Sequence, residues 1–389
     1  MTEIVVDAGS GPRVHAFVVG VAHYPYVGKG LGTGPARRLL DDLGQVTVPE
    51  PSAREIAEWL LTAPRQTDDP PIGTVEVLIS APHPVKVRAS GGAPVEVESA
   101  VHENFRAAFR RWLRRCEASR DNVAIFYFCG HGWRHGDQLL LLEDLGEDPE
   151  LVLANSVDLG VLRARMHLTG PRLQAYFVDA CREVPLDLTL SGSRPRALVD
   201  VPEPDGPLHP VDAPVFFSTA MGHSAFGDGG AATPYTEGVI AALEGLGACR
   251  KGGQWAVTTS SLAAHLQDII DWNQVGEVNQ EVRIEGQWAG RGVLHSLAGA
   301  PLVPFRIGCS PPGTPLPERV TARAMISPSL VSSVQVFEAN QGHLSAGFYE
   351  IDVAYPPDSR FTGDTILWQI DPPNEVLSLT VRSRFPDRS

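Results

Sequence analysis

Two residues able to carry out nucleophilic chemistry follow apolar runs of strand length. His131 lies in the segment FCGHGWRHGD with a glycine on each side, and Cys181 lies in YFVDACREVP. A thiol beside an imidazole suits nucleophilic catalysis, because the base makes the thiolate easier to form. Cys181 by itself fits a buried structural thiol, since free cysteine is among the most buried residue types. Together with His131, it is predicted to be a nucleophile.

The elements that must position these residues are predicted to form a parallel sheet. Five apolar runs have the length of strands and span 14–21, 74–80, 122–130, 173–180 and 213–220. Helical patterns lie between or after them, at 52–61, 98–118, 158–167, 233–246 and 259–273. This alternation indicates an α/β fold with a mostly parallel sheet and helices on both faces, with Ser52 as the N-cap of the first helix. Ligands bind beyond the carboxyl ends of such strands, where His131 and Cys181 lie.

The chain has 389 residues, which is long enough for two domains. Residues 1–300 are predicted to form the α/β domain, and the segment 185–212, rich in proline and glycine, is predicted to be an exposed loop within it. Short alternating segments follow a turn-rich linker. Residues 301–389 are therefore predicted to form a small all-β, sandwich-like domain.

Composition excludes several classes of partner and location. The net charge of −14 argues against nucleic acid or anionic membrane as a partner. No apolar run approaches the roughly 20 residues of a membrane-spanning helix, and the N-terminus lacks the pattern of a signal peptide, so a cytoplasmic location is expected. The five cysteines are scattered and form no CxxC pair, so we expect neither a disulfide framework nor a metal or other cofactor.

The two strand-end motifs, CGHG at 129–132 and DACR at 179–182, resemble those of the caspase and metacaspase group of cysteine peptidases. The histidine precedes the cysteine by about 50 residues, as is typical of caspases. The segments FFSTAMGHSAFG and TPYTEGVIAALEGL are similar to the later strand, the substrate-binding loop and the following helix of that family. The resemblance spans about 14–275 and implies a caspase-fold cysteine endopeptidase, here of prokaryotic type.

The resemblance implies a role for each matching residue. Cys181 would be the nucleophile and His131 the general acid and base, working as a dyad. The backbone amides of Gly132 and Cys181 would form an oxyanion hole for the charge that develops on the scissile carbonyl. Asp179 would face the pocket for the residue before the cut, and an acidic pocket selects a basic side chain. Cleavage after arginine is therefore predicted, with lysine as the second choice.

Other residues are assigned to substrate binding around this pocket. The backbones of Ser218 and Ala220 are predicted to pair with an extended substrate by strand addition, and Phe226 to wall a neighbouring subsite. Metacaspases usually carry a further acid near the start of the first helix. Ser52 stands there in this chain, with Glu50 nearby and unassigned.

Regulation and the C-terminal domain leave alternatives open. The resemblance implies that the segment 185–212 is cut for activation, with self-cleavage at Arg194 and Arg196; a tolerated surface insertion is the alternative. The β domain would bind an activator, a protein substrate or the catalytic domain. The resemblance also implies an effector protease in bacterial defence or cell death, and leaves calcium dependence open with no identifiable calcium site. The alternative function is a catalytically silent scaffold that binds proteins.

Overall fold

The protein is described from a computed structural model. The structure describes residues 3–7, 9–28, 40, 43–88, 92–182, 194–203, 210–220, 231–273, 280–287, 289–310, 315–325, 334–337 and 341–384. Two compact units divide the chain, Met1–Ile240 with Asn273–Leu294 and Ala241–Trp272 with His295–Ser389. The domain boundary at residue 300 stays a prediction.

The first part of the chain alternates strands and helices, as the sequence predicts. The strands are β1 (Glu3–Val5), β2 (Val14–Val21), β3 (Ile72–Ser80), β4 (Lys86–Val87), β5 (Val95–Glu96), β6 (Val123–Cys129), β7 (Gly132–His135), β8 (Asp137–Leu141), β9 (Ser156–Asp158), β10 (Leu173–Asp179), β11 (Ala213–Ala220), β12 (Ala248–Lys251), β13 (Gln254–Thr258), β14 (Gln280–Gln287) and β15 (Val293–Ser296). The helices within the described ranges are α1 (Pro49–Thr62), α2 (His102–Glu117), α3 (Leu159–Thr169), α4 (Pro234–Ala241), which continues into a π turn (Ala242–Leu246), and α5 (Thr259–Asn273).

A central sheet of seven described strands runs in the order β1-β3-β2-β6-β10-β11-β14. The five inner strands are parallel and fully or almost fully buried, which confirms the predicted mostly parallel sheet. The two edge strands, β1 and β14, are antiparallel. The sequence did not predict them, because β14 alternates exposed and half-buried residues and so carries no apolar run.

Helices cover both faces of this sheet. A β-carbon at Gly20 would lie 2.6 Å from the β-carbon of Ala53, so this face of β2 packs against α1. Phe17, on the opposite face, packs against α2, with ring centroids 4.9 Å from Phe105 and 6.0 Å from Trp112. Because successive side chains of a strand point to opposite faces, α1 and α2 lie on opposite sides of the sheet.

The helix α1 begins before the predicted N-cap. It starts at Pro49, where a proline in the first turn sacrifices no hydrogen bond, and Val48 is an N-cap without a side-chain bond. Ser52 is therefore inside the helix and buried, and the N-cap prediction is wrong. Its Oγ instead accepts a hydrogen bond of 3.0 Å from the Thr233 amide.

The segment predicted as an exposed loop is partly anchored in the core. Arg194 and Arg196 are exposed, but Leu198 and Val211 are buried in the main hydrophobic cluster. The Arg196 amide also donates to the Ala154 carbonyl over 3.1 Å. The prediction of exposure throughout 185–212 is therefore wrong, because two apolar residues of the segment fill core positions.

The C-terminal region is all-β in its described part, as predicted. Its strands are β16 (Leu302–Ser310), β17 (Arg319–Ala324), β18 (Val334–Phe337), β19 (Gln341–Ser345), β20 (Gly347–Ala354), β21 (Asp364–Ile370) and β22 (Glu375–Thr380). They form two sheets, β19-β16-β22 and β18-β17-β20-β21. The sheets touch through Phe305 and Phe337, whose rings meet edge-on with centroids 5.0 Å apart.

Candidate active site

The register of two neighbouring parallel strands determines the geometry of the site. Cys129, the last residue of β6, is the partner of Asp179, the last residue of β10. His131 and Cys181 each lie two residues beyond these partners. They therefore occupy matching positions at the carboxyl edge of the sheet, and both are half-buried. The parallel topology thus brings together the two residues that the sequence predicts to react.

The two motifs also contact each other directly through the backbone. A β-carbon at Gly132 would lie 2.9 Å from both the Cys181 carbonyl oxygen and the Ala180 side chain, so only glycine fits without displacement. The buried side chain of Gln138 donates from Nε2 to the same Cys181 carbonyl over 3.0 Å. The hairpin after His131 and the turn that carries Cys181 are therefore packed and hydrogen-bonded as one unit.

The orientation of His131 is fixed by residues of the connection between β2 and α1. Its Nε2 lies 2.8 Å from the Gly44 carbonyl, so that nitrogen carries the proton and donates in this contact. Its backbone amide donates over 2.9 Å to the Tyr24 hydroxyl, which in turn donates to the Leu141 carbonyl. Tyr24 is itself clamped by two bonds with the Gln45 side chain. Burial raises the pKa of Tyr24 far above its usual range, so the phenol stays neutral.

A buried polar layer lies directly beneath the half-buried residues. Asp179 is 4% exposed, and its Oδ2 accepts from the Thr233 hydroxyl and, at 3.7 Å, from the Cys129 thiol. Burial raises the pKa of Asp179, opposed by the hydrogen bond from Thr233. Thr233 also donates its amide to Ser52 and accepts from the Thr236 amide at the start of α4. Asp179 and Ser52 therefore converge on the same residue.

Arg182 anchors the chain immediately after Cys181. Its guanidinium lies 4.0 Å from the centre of the Phe217 ring and donates over 2.7 Å to Glu285. The hydrogen bond from Arg182 lowers the pKa of the Glu285 carboxyl. Both contacts limit the movement of the turn that presents Cys181.

The predicted substrate-binding residues of β11 differ in whether their backbone lies beside a neighbouring strand on both sides. Ser218 is buried and has partners on both sides, Asp179 of β10 and Val282 of β14. The strand-addition prediction therefore fails at Ser218, because no free backbone edge remains there. The backbone of Ala220 extends two positions beyond Asp179, where β10 has ended. Phe226 lies outside the described residues.

Three residues of the site were missed by the sequence analysis: Tyr24, Gly44 and Gln138. Gln138 carries a weak signal, since it is a polar residue at the start of the apolar run LLLL. Tyr24 and Gly44 reach His131 only through the topology, and no local pattern marks them. Within the described ranges, no three His, Cys, Asp or Glu side chains are grouped so that they could hold a metal ion, and no helix is both long and apolar enough to span a membrane.

Comparison with known protein families finds a match for the region that carries His131 and Cys181. Residues 87–271 match the family model described as the caspase domain, a stretch that contains both His131 and Cys181. The mostly parallel central sheet with helices on both faces is caspase-like, and this region carries the match to the caspase domain. The match to the caspase domain covers slightly less than half of the 389 residues.

The individual relatives are distant. The uncharacterized protein y4kE of Sinorhizobium fredii is 25% identical over 281 residues, which cover 66% of this chain and 79% of that protein. A solved structure titled "structure of pro-sf-caspase-1" is 12% identical with a TM-score of 0.39, covering 72% of this chain and 94% of its own. Protein GSU0716 from Geobacter sulfurreducens is 11% identical with a TM-score of 0.38, covering 71% and 94% respectively.

Proposed function

We propose that this protein is a cysteine endopeptidase that cleaves peptide bonds after arginine, and less readily after lysine. The observation that carries this proposal is the register of β6 and β10, which sets His131 and Cys181 at matching positions on one sheet edge. The hydrogen bond from His131 Nε2 to the Gly44 carbonyl supports it, because in that tautomer the neutral ring carries its proton on Nε2, and Nδ1 is the nitrogen that can accept the thiol proton.

The proposed reaction proceeds through a thioester. His131 takes the thiol proton, and the Cys181 sulfur bonds to the scissile carbonyl carbon while the π electrons move to the oxygen. The amides of Gly132 and Cys181 donate to that oxyanion. Collapse of the intermediate breaks the peptide bond, and the leaving amine takes the proton from His131. Water, deprotonated by His131, then cleaves the thioester and releases the thiol.

The proposed specificity rests on Asp179. No salt bridge to Asp179 occurs within the described residues, and the small polar side chains of Ser218 and Thr233 lie beside it. An ionised Asp179 without a cation among the described residues would favour an arginine or lysine side chain of the substrate. The charge-assisted bonds would offset the cost of keeping the carboxylate ionised while buried.

The decisive experiment compares fluorogenic peptides with arginine, lysine or aspartate before the cut. We expect turnover in the order arginine, lysine, aspartate, and its loss in the Cys181→Ala variant. Cys249→Ala is the matched control, because Cys249 is a second half-buried free cysteine. Turnover that survives Cys181→Ala would refute the mechanism. Peptide binding without turnover in the unmodified protein would instead favour the silent scaffold.

Self-processing is proposed at Arg196. The bond after Arg194 precedes Pro195, a tertiary amide without an N–H, whereas the bond after Arg196 precedes Ala197. Because Leu198 is buried, cleavage requires this segment to leave the core first. Incubated protein should then acquire a new N-terminus at Ala197, as seen by N-terminal sequencing. A fully active chain that stays intact would exclude a need for processing.

The wider role proposed is that of a regulated cytoplasmic effector in bacterial defence or cell death. The C-terminal β domain would bind its activator or substrate. Calcium dependence is tested in the same peptide assay by adding calcium and then a chelator. Unchanged turnover in both conditions would exclude a calcium requirement.

A further inference from the structure

A cavity of about 530 Å³ lies at the carboxyl ends of β2 and β3, beside the first turn of α1. A volume in this range is typical of sites that hold ligands. Its walls include the side chains of Tyr24 and Val46 and the polar side chains of Gln45, Glu50 and His83. None of the chemistry proposed above uses this cavity.

The cavity adjoins the predicted general acid and base. Tyr24, which lines it, has its ring centroid 5.0 Å from that of His131 and accepts the His131 amide proton. Gln45, also in the wall, follows Gly44, whose carbonyl holds His131 Nε2. The residues that orient the imidazole therefore also form one side of the cavity.

The strand order decides which part of a substrate would reach the cavity. These strands of the central sheet run in the order β11-β10-β6-β2-β3. The two residues proposed to react follow β10 (Cys181) and β6 (His131). The cavity lies at the ends of the next two strands, β2 and β3. The side chain before the cut is directed to Asp179, at the end of β10. The leaving amine takes its proton from His131, so the residues after the cut continue beyond His131, toward β2.

The charge in the cavity favours a basic side chain. Glu50 is the acid among the described lining residues, and none of them is lysine or arginine. Its Oε1 accepts from Arg54 over 2.7 Å, while Oε2 lies 3.4 Å from His83, longer than a normal N–H···O bond. His83 is 62% exposed, so a cationic ligand can displace it from Oε2 at small cost. A carboxylate oxygen accepts more than one hydrogen bond, which leaves capacity for this ligand.

We infer that this cavity is the subsite for substrate residues after the cut, and that Glu50 gives it a preference for a lysine or arginine within two positions of the scissile bond. This inference rests on the proposed peptidase function. Glu50 would be a specificity-determining residue on the leaving-group side of the substrate, as Asp179 would be on the other side.

The test uses the full-length protein and two series of peptides with arginine fixed before the cut. Lysine, alanine or glutamate is placed at the first position after the cut in one series and at the second position in the other. We measure kcat/KM by mass spectrometry of the products. In at least one series, lysine should be cleaved about tenfold faster than glutamate, the size of one charge-assisted contact.

The Glu50→Gln variant should reduce this lysine-to-glutamate ratio to within about twofold, the loss expected when one partner of a rim ion pair becomes neutral. Glu55→Gln is the matched control, because Glu55 lies on the exposed face of the same helix, and it should keep the ratio of the unmodified protein. Equal cleavage of all peptides, or a ratio that Glu50→Gln leaves intact, would overturn the subsite while leaving the peptidase standing. Failure to cleave any peptide would overturn both.

Discussion

Two layers at the ends of β6 and β10 contrast sharply although they are only two residues apart. The lower layer, Cys129 and Asp179, is buried and paired in register. The upper layer, His131 and Cys181, is half-buried at the sheet edge. Burial raises the pKa of the Cys129 thiol well above its usual range, so it stays protonated and inert. We therefore propose opposite roles for the same residue type, inert within the strand at Cys129 and reactive beyond the strand end at Cys181.

The largest expected effect separates the two thiols. In the native protein, iodoacetamide should alkylate Cys181 and leave Cys129 unmodified, with a rate difference of about 10³-fold or more, because Cys129 reacts only when the core opens. Peptide mapping by mass spectrometry measures both rates. The His131→Ala variant should slow alkylation of Cys181 and leave that of Cys249 unchanged. Comparable rates at Cys129 and Cys181 would remove the contrast between the layers.

The lower layer should control which peptide is cut. Asp179→Asn should reduce kcat/KM for the arginine peptide by about 10²-fold, the cost of truncating one partner of a buried charge pair. In the unmodified protein, the preference for arginine over a neutral residue should weaken as the pH falls through the raised pKa of Asp179, because the protonated carboxyl carries no charge. A preference that is constant with pH would place the specificity elsewhere.

A smaller effect is expected at Gln138, which joins the two motifs. Gln138→Met keeps the buried shape but removes the donor to the Cys181 carbonyl. We expect kcat to fall about tenfold with KM within about twofold, since one buried hydrogen bond is lost at the nucleophile. Gln174→Met is the control, because Gln174 is equally buried and donates to the Met166 and Pro171 carbonyls near the other end of β10. An equal loss of kcat in both variants would indicate general destabilisation.

The smallest expected effect is on the stability of the Asp179→Asn variant. This variant should be more stable than the unmodified protein although it is less active. Burial raises the pKa of Asp179, so the folded state binds this proton more tightly than the unfolded state. Stability then falls as the pH rises from the ordinary carboxyl range through the raised value, and the penalty is absent in acid. Asp179→Asn should therefore raise Tm at neutral pH, and the difference should disappear in acid. A lower Tm at neutral pH would show that the carboxylate stabilises the fold.

The sequence predicts the strands of the site closely because they are continuous apolar runs. The predicted run at 14–21 is β2 residue for residue, and β10 ends one residue before the predicted limit. The hairpin of β7 and β8 was missed, since its strands are only four and five residues long. The prediction of Ser52 as an N-cap was wrong because its hydroxyl is hydrogen-bonded by Thr233. This is a tertiary contact that the local sequence does not indicate.

The amino-acid sequence by itself predicted the fold class, the resemblance to the caspase group and the pair of candidate reactive residues. Apolar runs fix the strands, and glycine-flanked histidine and cysteine at two strand ends carry the family pattern. Only the tertiary structure decided how these residues are held and what surrounds them. The bond from His131 to Gly44, the bond from Gln138 to Cys181 and the cavity around Glu50 all join segments far apart in the chain. Such contacts follow from strand order and packing, which local sequence patterns do not encode.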